Sequence, residues 1–164
     1  MYRHPHDKDG SCSDMGASAE DQFNQVVTDL GVKTRYTEFQ EQIKHIDFHL
    51  AFRGSVDVKA RKRITRNGPI QDEYVWIEFV GNSGKKGWLY GDATHIAFER
   101  LRDFVVVPRE GLARIAEILV EDTIVNSPED AHLFRYQRKG KKDQVSLIPM
   151  RTLILNLPCL LLKK

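Results

Sequence analysis

The sequence predicts an α/β chain of the α+β kind, with one mixed sheet flanked by helices. Three observations predict it. Ala19, Phe23, Val26, Val27 and Leu30 recur at helical spacing near the start. A succession of β-rich segments follows, including 45–52, 55–62, 73–80, 93–100 and 103–107. A second amphipathic stretch and a hairpin-like pair close the series, which is the element order of helices packed on a sheet. With 164 residues, 41% hydrophobic and 29% charged, the chain can bury a core and is neither disordered nor collagen-like.

Residues 1–13 are polar and aperiodic and read as a flexible arm. Its His4, His6 and Cys12 lack a fourth ligand for a convincing metal site. The first helix starts at Ser13 or Asp14, either of which caps it, and Gly31 stops it. Glu20 falls at the margin of its apolar stripe. A short strand is expected at 32–36, then a turn or one helical turn at 37–44.

His45–Phe52 (HIDFHLAF) and Ser55–Lys62 (SVDVKARK) both alternate, with Arg53-Gly54 between them, and read as a hairpin. Glu73–Val80 (EYVWIEFV) is nearly all apolar and is expected deep in the sheet, covered on both faces. GNSGKKG is a loop. Residues 93–100 and 103–107 are further strands, and Pro108 suits entry to a helix over 109–120, with Leu112, Ile115, Ala116 and Leu119 on one face. Residues 122–130 read as a polar linker. HLFRYQR and QVSLIPM form a second hairpin around KGKKD. The tail 153–164 is apolar, interrupted by Asn156 and Pro158, too short to span a bilayer as a helix, and expected as a core strand or an interface.

The chemistry concentrates in one place. Asp57 and Lys59, two apart on a strand, share a face, and Asp47 lies on the preceding strand. Two acids and a lysine among apolar residues suit metal-assisted phosphodiester cleavage: carboxylates hold Mg²⁺ against a phosphate oxygen and the lysine steadies water or developing charge. An Asp-x-Lys pair is also a common surface ion pair, but charges near a core are costly unless paired or metal-bound.

The register is open at this level. A two-residue Arg53-Gly54 turn would put Asp47 and Asp57 on opposite faces; an odd loop or a bulge would put them on one. With Arg53-Gly54-Ser55 as the loop, the acids would stand roughly 13 Å apart along the strand. They meet only if the strands twist or bulge strongly, or if the turn is centred nearer Phe52.

His45, Asp47 and His49 alternate, so a transition-metal site is conceivable, although satisfied histidines or phosphate contacts fit as well. Glu78, the one acid within an apolar strand, is either an added site residue or a partner for a lysine. Trp76, Trp88 and Tyr90 read as core or fold residues rather than base-stacking platforms. The net charge of +2 hides two acid-free runs, Lys59–Arg66 and Arg135–Lys142, with five basic residues each. Arg61, Lys62, Arg63 and Arg66 in the first, and Arg138, Lys139, Lys141 and Lys142 in the second, suit a phosphate backbone.

Together these residues resemble the PD-(D/E)XK, or restriction-endonuclease-like, superfamily over residues 14–152. Glu20 matches its first-helix acid, Asp47 its strand acid, and Asp57-Val58-Lys59 its (Asp/Glu)-x-Lys. Ile46 stands where proline is frequent, and Asp57 where glutamate is. The resemblance implies a central mixed sheet flanked by helices and a Mg²⁺-dependent DNA endonuclease, with Mn²⁺ a substitute. Asp47, Asp57 and the Val58 carbonyl would ligate the metal, Lys59 would be base or transition-state stabiliser, and Glu20 an outer ligand or water positioner. A DNA partner and a homodimer follow from it.

Two rival readings are a nucleic-acid-binding module without turnover and an assembly protein using the apolar tail. The two cysteines, Cys12 and Cys159, form no disulfide framework, so a reducing, cytoplasmic compartment is expected, with no membrane segment.

Overall fold

The computed structural model describes residues 11–51 and 54–164. Helix α1 spans Ser11–Asp29, so the first helix takes in residues 11–13 of the expected arm; residues 1–10 lie outside the described residues. Strands β1 (Thr34–Tyr36), β2 (Phe48–Leu50) and β3 (Gly54–Lys59) follow, with α2 (Phe39–Gln42) between the first two. Strands β4 (Lys62–Arg63) and β5 (Ile70–Gln71) form a small ribbon of their own. Then come β6 (Tyr74–Val80), β7 (His95–Glu99), β8 (Asp103–Pro108) and α3 (Arg109–Leu119). Strands β9 (Glu121–Val125), β10 (Phe134–Tyr136) and β11 (Gln144–Pro149), helix α4 (Met150–Asn156) and strand β12 (Leu160–Lys163) complete the chain.

The chain is mixed α/β, but it builds two main sheets where the sequence predicts one. The larger runs β1-β2-β3-β7-β8-β12, with β3 and β7 parallel and its other neighbours antiparallel. The second runs β6-β11-β10-β9. The strand expected deepest in the sheet, β6, is thus an edge of the second sheet. Its burial alternates, with Val75, Ile77 and Phe79 inside and Tyr74, Trp76, Glu78 and Val80 half-exposed. Aromatic and valine content made a one-sided strand look two-sided. The expected linker 122–130 also carries structure: β9 pairs parallel with β10, and a 3-10 turn covers Pro128–Asp130.

Two cores flank the larger sheet. Ala19, Phe23 and Val27 of α1 meet Phe48, Val56, Val58, Ala97, Phe104, Val106 and Leu162 on one face. Phe23 stacks edge-on against Phe104 at 5.3 Å between ring centroids. The opposite face, with Ile96, Phe98, Val105 and Val107, packs with Ile77, Phe79 and Ile148 of the second sheet, Leu112 and Ala116 of α3, and Leu153 of α4. Asp57 and Lys59 pair with Ile96 and Phe98, so they point to this second, inter-sheet side.

The apolar tail divides between α4 and β12. Leu153 and Leu162 enter the two cores, while Leu160 and Leu161 are about half exposed on the edge strand. Among the described residues no helix is long and apolar enough to cross a membrane. Cys159 is a free, exposed thiol.

Candidate active site

Hairpin register decides whether the two acids meet. Leu50 pairs with Gly54, His49 with Ser55 and Phe48 with Val56. Residues 51–53 connect the paired strands, and of these Phe52 and Arg53, on which the expected turn falls, lie outside the described residues. Gly54 takes φ +91°, and a Cβ there would meet Thr94 Oγ1 at 2.5 Å, so glycine is needed for both conformation and space. Neither Arg53-Gly54 nor Arg53-Gly54-Ser55 is the loop.

Extending this register by one residue brings Asp47 beside Asp57. The ladder becomes irregular there: the Asp47 N–H donates to Val56 O at 2.8 Å, and Asp47 Oδ2 accepts the Val58 N–H at 2.6 Å. On its other side Asp47 is held by Thr37, whose N–H donates to Asp47 O at 3.2 Å and whose hydroxyl donates to Ile46 O at 2.6 Å. Thr37 is buried and carries no sequence signal for this role.

Lys59 Nζ lies 2.5 Å from Asp57 Oδ1. The same ammonium stands 5.0 Å from the centre of the Trp88 ring, so Trp88 forms a wall of the site as well as part of the core. Asp57 is 2% exposed and its Oδ2 is buried with no hydrogen-bond partner. Burial pushes the Asp57 carboxyl well above the usual range, against the pull of Lys59; Asp47 adds to the rise by its charge and by lying within hydrogen-bond reach. Burial alone would lower Lys59, but the charges of Asp57 and Asp47, with Glu78 further off, raise it.

Glu20 reaches this cluster from α1. Its carboxyl is pushed up to about 7, first by burial and then by the charge of Asp47, with Lys59 opposing. Glu78 is raised by burial, again opposed by Lys59, and its Oε1 accepts the Trp88 N–H at 3.3 Å. His45 takes φ +58°, and its half-buried ring is lowered, first by burial and next by Lys59, with Asp47 opposing. The His45/Asp47/His49 set does not assemble, because His49 Nε2 contacts Glu41 Oε1 at 2.8 Å.

Lys59 lines a cleft of about 600 Å³ whose lining does not include Glu20, Asp47 or Asp57. Arg61, Lys62 and Arg66 of the first basic run line it, and so does Arg138 of the second. Arg61 is tied to Asp72 at 2.6 Å and Arg138 to Asp143 at 2.7 Å, two acids the sequence reading did not single out. Arg63, Lys139, Lys141 and Lys142 lie outside this lining. Arg135 leaves its run for another role: it pairs with Asp122 at 2.7 Å and lies over the Phe79 ring.

The described residues hold no group of three or more His, Cys, Asp or Glu side chains able to cage a metal. The residues present nonetheless fit Mg²⁺. That ion is usually held by one or two carboxylates, its remaining positions filled by water and substrate phosphate. Two adjoining carboxylates, one with a buried unpartnered oxygen, are such a donor set.

Comparison with protein-family models, with curated proteins and with solved structures gives no match to this chain.

Proposed function

We propose that the chain is a Mg²⁺-dependent DNA endonuclease with a restriction-endonuclease-like core. The observation that carries this reading is the convergence of Asp47, Asp57 and Lys59, with Asp57 Oδ2 buried and unpartnered. A buried carboxylate facing a second carboxylate is costly unless a cation answers it.

Asp47, Asp57 and the Val58 carbonyl would hold Mg²⁺, which when bound polarises a phosphoryl oxygen and neutralises charge on it. Lys59 keeps its proton, because neighbouring acids raise it. Its role is therefore hydrogen-bond donor to the attacking water or to the phosphoryl oxygens, rather than base. Glu20, with a carboxyl near 7, is suited to orient that water and accept its proton. Water adds to phosphorus in line and the opposite P–O ester bond breaks. Arg61, Lys62, Arg66 and Arg138 position the backbone that carries the phosphate.

The test is nicking of supercoiled plasmid with Mg²⁺, Mn²⁺ or EDTA. The wild type nicks with either metal and not in EDTA; Asp57→Ala and Lys59→Ala do not nick while circular dichroism shows an intact fold. Unchanged cleavage by both variants would sink the assignment. One observation favours the non-catalytic reading instead: Lys59 already answers Asp57 at 2.5 Å. DNA binding with no cleavage under any metal would establish it. Double-strand cutting would further call for two copies, and the edge strand β12 offers Leu160 and Leu161 for that contact.

A further inference from the structure

We infer that the cleft beside Lys59 takes an unpaired nucleic-acid strand, with a base stacked on Trp76. The inference deepens the nuclease reading by naming its substrate class, and it rests on that reading for the reacting phosphate.

Trp76 and Glu78 share the face of β6 turned away from the core, while Val75, Ile77 and Phe79 fill the core behind them. Register adds Tyr136 to that face: Tyr136 pairs with Val145, and Val145 with Glu78. The Trp76 and Tyr136 rings stand 6.0 Å apart at 42° and both line the cleft. The indole is anchored at its edge, where Nε1 donates to Arg63 O at 2.9 Å, with the Tyr136 ring tilted beside it. A large aromatic left half-exposed off the core, and immobilised, is a stacking platform at low entropic cost.

The lining carries five cations, Lys59, Arg61, Lys62, Arg66 and Arg138, against four acids, Asp72, Glu78, Glu99 and Asp143. Arg61 is paired with Asp72 and Arg138 with Asp143, so Lys62 and Arg66 are the cations best placed to meet a phosphate backbone. Cations that track a backbone beside aromatic rings that take bases are the recognition chemistry of single strands. Size points the same way. A cleft of about 600 Å³ is that of a small-molecule site and admits a nucleotide or two. A duplex keeps its base faces stacked and cannot present one to Trp76 without strand separation.

Binding in EDTA tests this apart from catalysis. Labelled oligo(dT), oligo(rU) and a blunt DNA duplex are titrated by anisotropy, with intrinsic fluorescence followed in parallel. Of the two tryptophans, Trp88 is buried and Trp76 is half-exposed, so stacking quenches Trp76. A single strand is expected to bind roughly tenfold tighter than the duplex, the oligo(dT) and oligo(rU) arms identifying which sugar is preferred. Trp76→Ala should weaken single-strand binding roughly tenfold, and Trp76→Phe should retain the affinity while abolishing the quench. Equal affinity for duplex and single strand, or an unaltered Trp76→Ala in a folded protein, overturns the inference. Single-strand binding with this pattern, but no cleavage after Mg²⁺ is added, refutes the nuclease reading and leaves the stacking site standing.

Discussion

Asp47 and Asp57 meet side by side where β2 and β3 lose their regular ladder, with Asp47 Oδ2 taking the N–H of Val58 at 2.6 Å. That hydrogen bond is made by the residue following Asp57, so it fixes one carboxylate against the strand that carries the other. Asp57 Oδ2 is left without a donor.

The unpartnered oxygen predicts how the fold responds to metal. In EDTA, Asp57→Asn should melt at or above the wild-type temperature, because it removes a buried charge and keeps the shape. Mg²⁺ at a hundredfold excess over its Kd should stabilise the wild type by about 2.7 kcal/mol and leave Asp57→Asn unmoved. Thermal melts with and without Mg²⁺ read both effects.

The Asp57–Lys59 pair predicts strong coupling. Lys59→Met leaves a carboxylate that is 2% exposed without its cation, and should cost about 2 kcal/mol, below the range for fully buried pairs because Lys59 is 25% exposed. Adding Asp57→Asn should recover most of that loss. Urea melts of the two single variants and the double variant measure the coupling directly.

Glu20 predicts a pH dependence in the metal-free protein. Its folded-state carboxyl lies near 7 against an ordinary 4.5, so the folded chain binds that proton more tightly than the unfolded one. The resulting stability is fully present below about 4.5 and is lost as pH rises towards 7. Glu20→Gln should remove this component, so the wild-type minus variant melting temperature should fall between those two pH values. A flat difference would show that neither burial nor Asp47 raises the Glu20 carboxyl.

The basic residues should separate by location. Alanine at Lys62 or Arg66 should weaken DNA binding and each lower the salt slope by about one. Arg135→Ala should leave the slope unaltered, because Arg135 is engaged by Asp122 and the Phe79 ring. Binding isotherms across a salt series distinguish them.

Local signals in the sequence placed most elements. The stripe of Ala19, Phe23 and Val27 is the face α1 buries, and Pro108 does precede α3. Asp57 and Lys59 share a face, as period two requires. What was not legible depended on partners distant in the chain. Period and composition could not tell that β6 pairs with β11 instead of joining the larger sheet. The contact of Asp47 with Asp57 depends on Gly54 and Ser55 pairing within the strand, where the Gly54 signal puts them in the loop. Thr37 holds Asp47 through hydrogen bonds to the Ile46 and Asp47 carbonyls, Asp72 and Asp143 hold Arg61 and Arg138 through ion pairs, and nothing in local sequence marks such contacts.

On the proposed reading, Asp47 and Asp57 together bind one divalent ion. A crystal soaked in Mn²⁺ and measured for anomalous scattering tests it most directly. One peak is expected beside Asp47 and Asp57, within about 2.0–2.6 Å of carboxylate oxygens as for hard divalent cations, and no peak in Asp57→Asn crystals. An anomalous map empty at that position, in crystals whose carboxylates are ordered and free of lattice contacts, would contradict it.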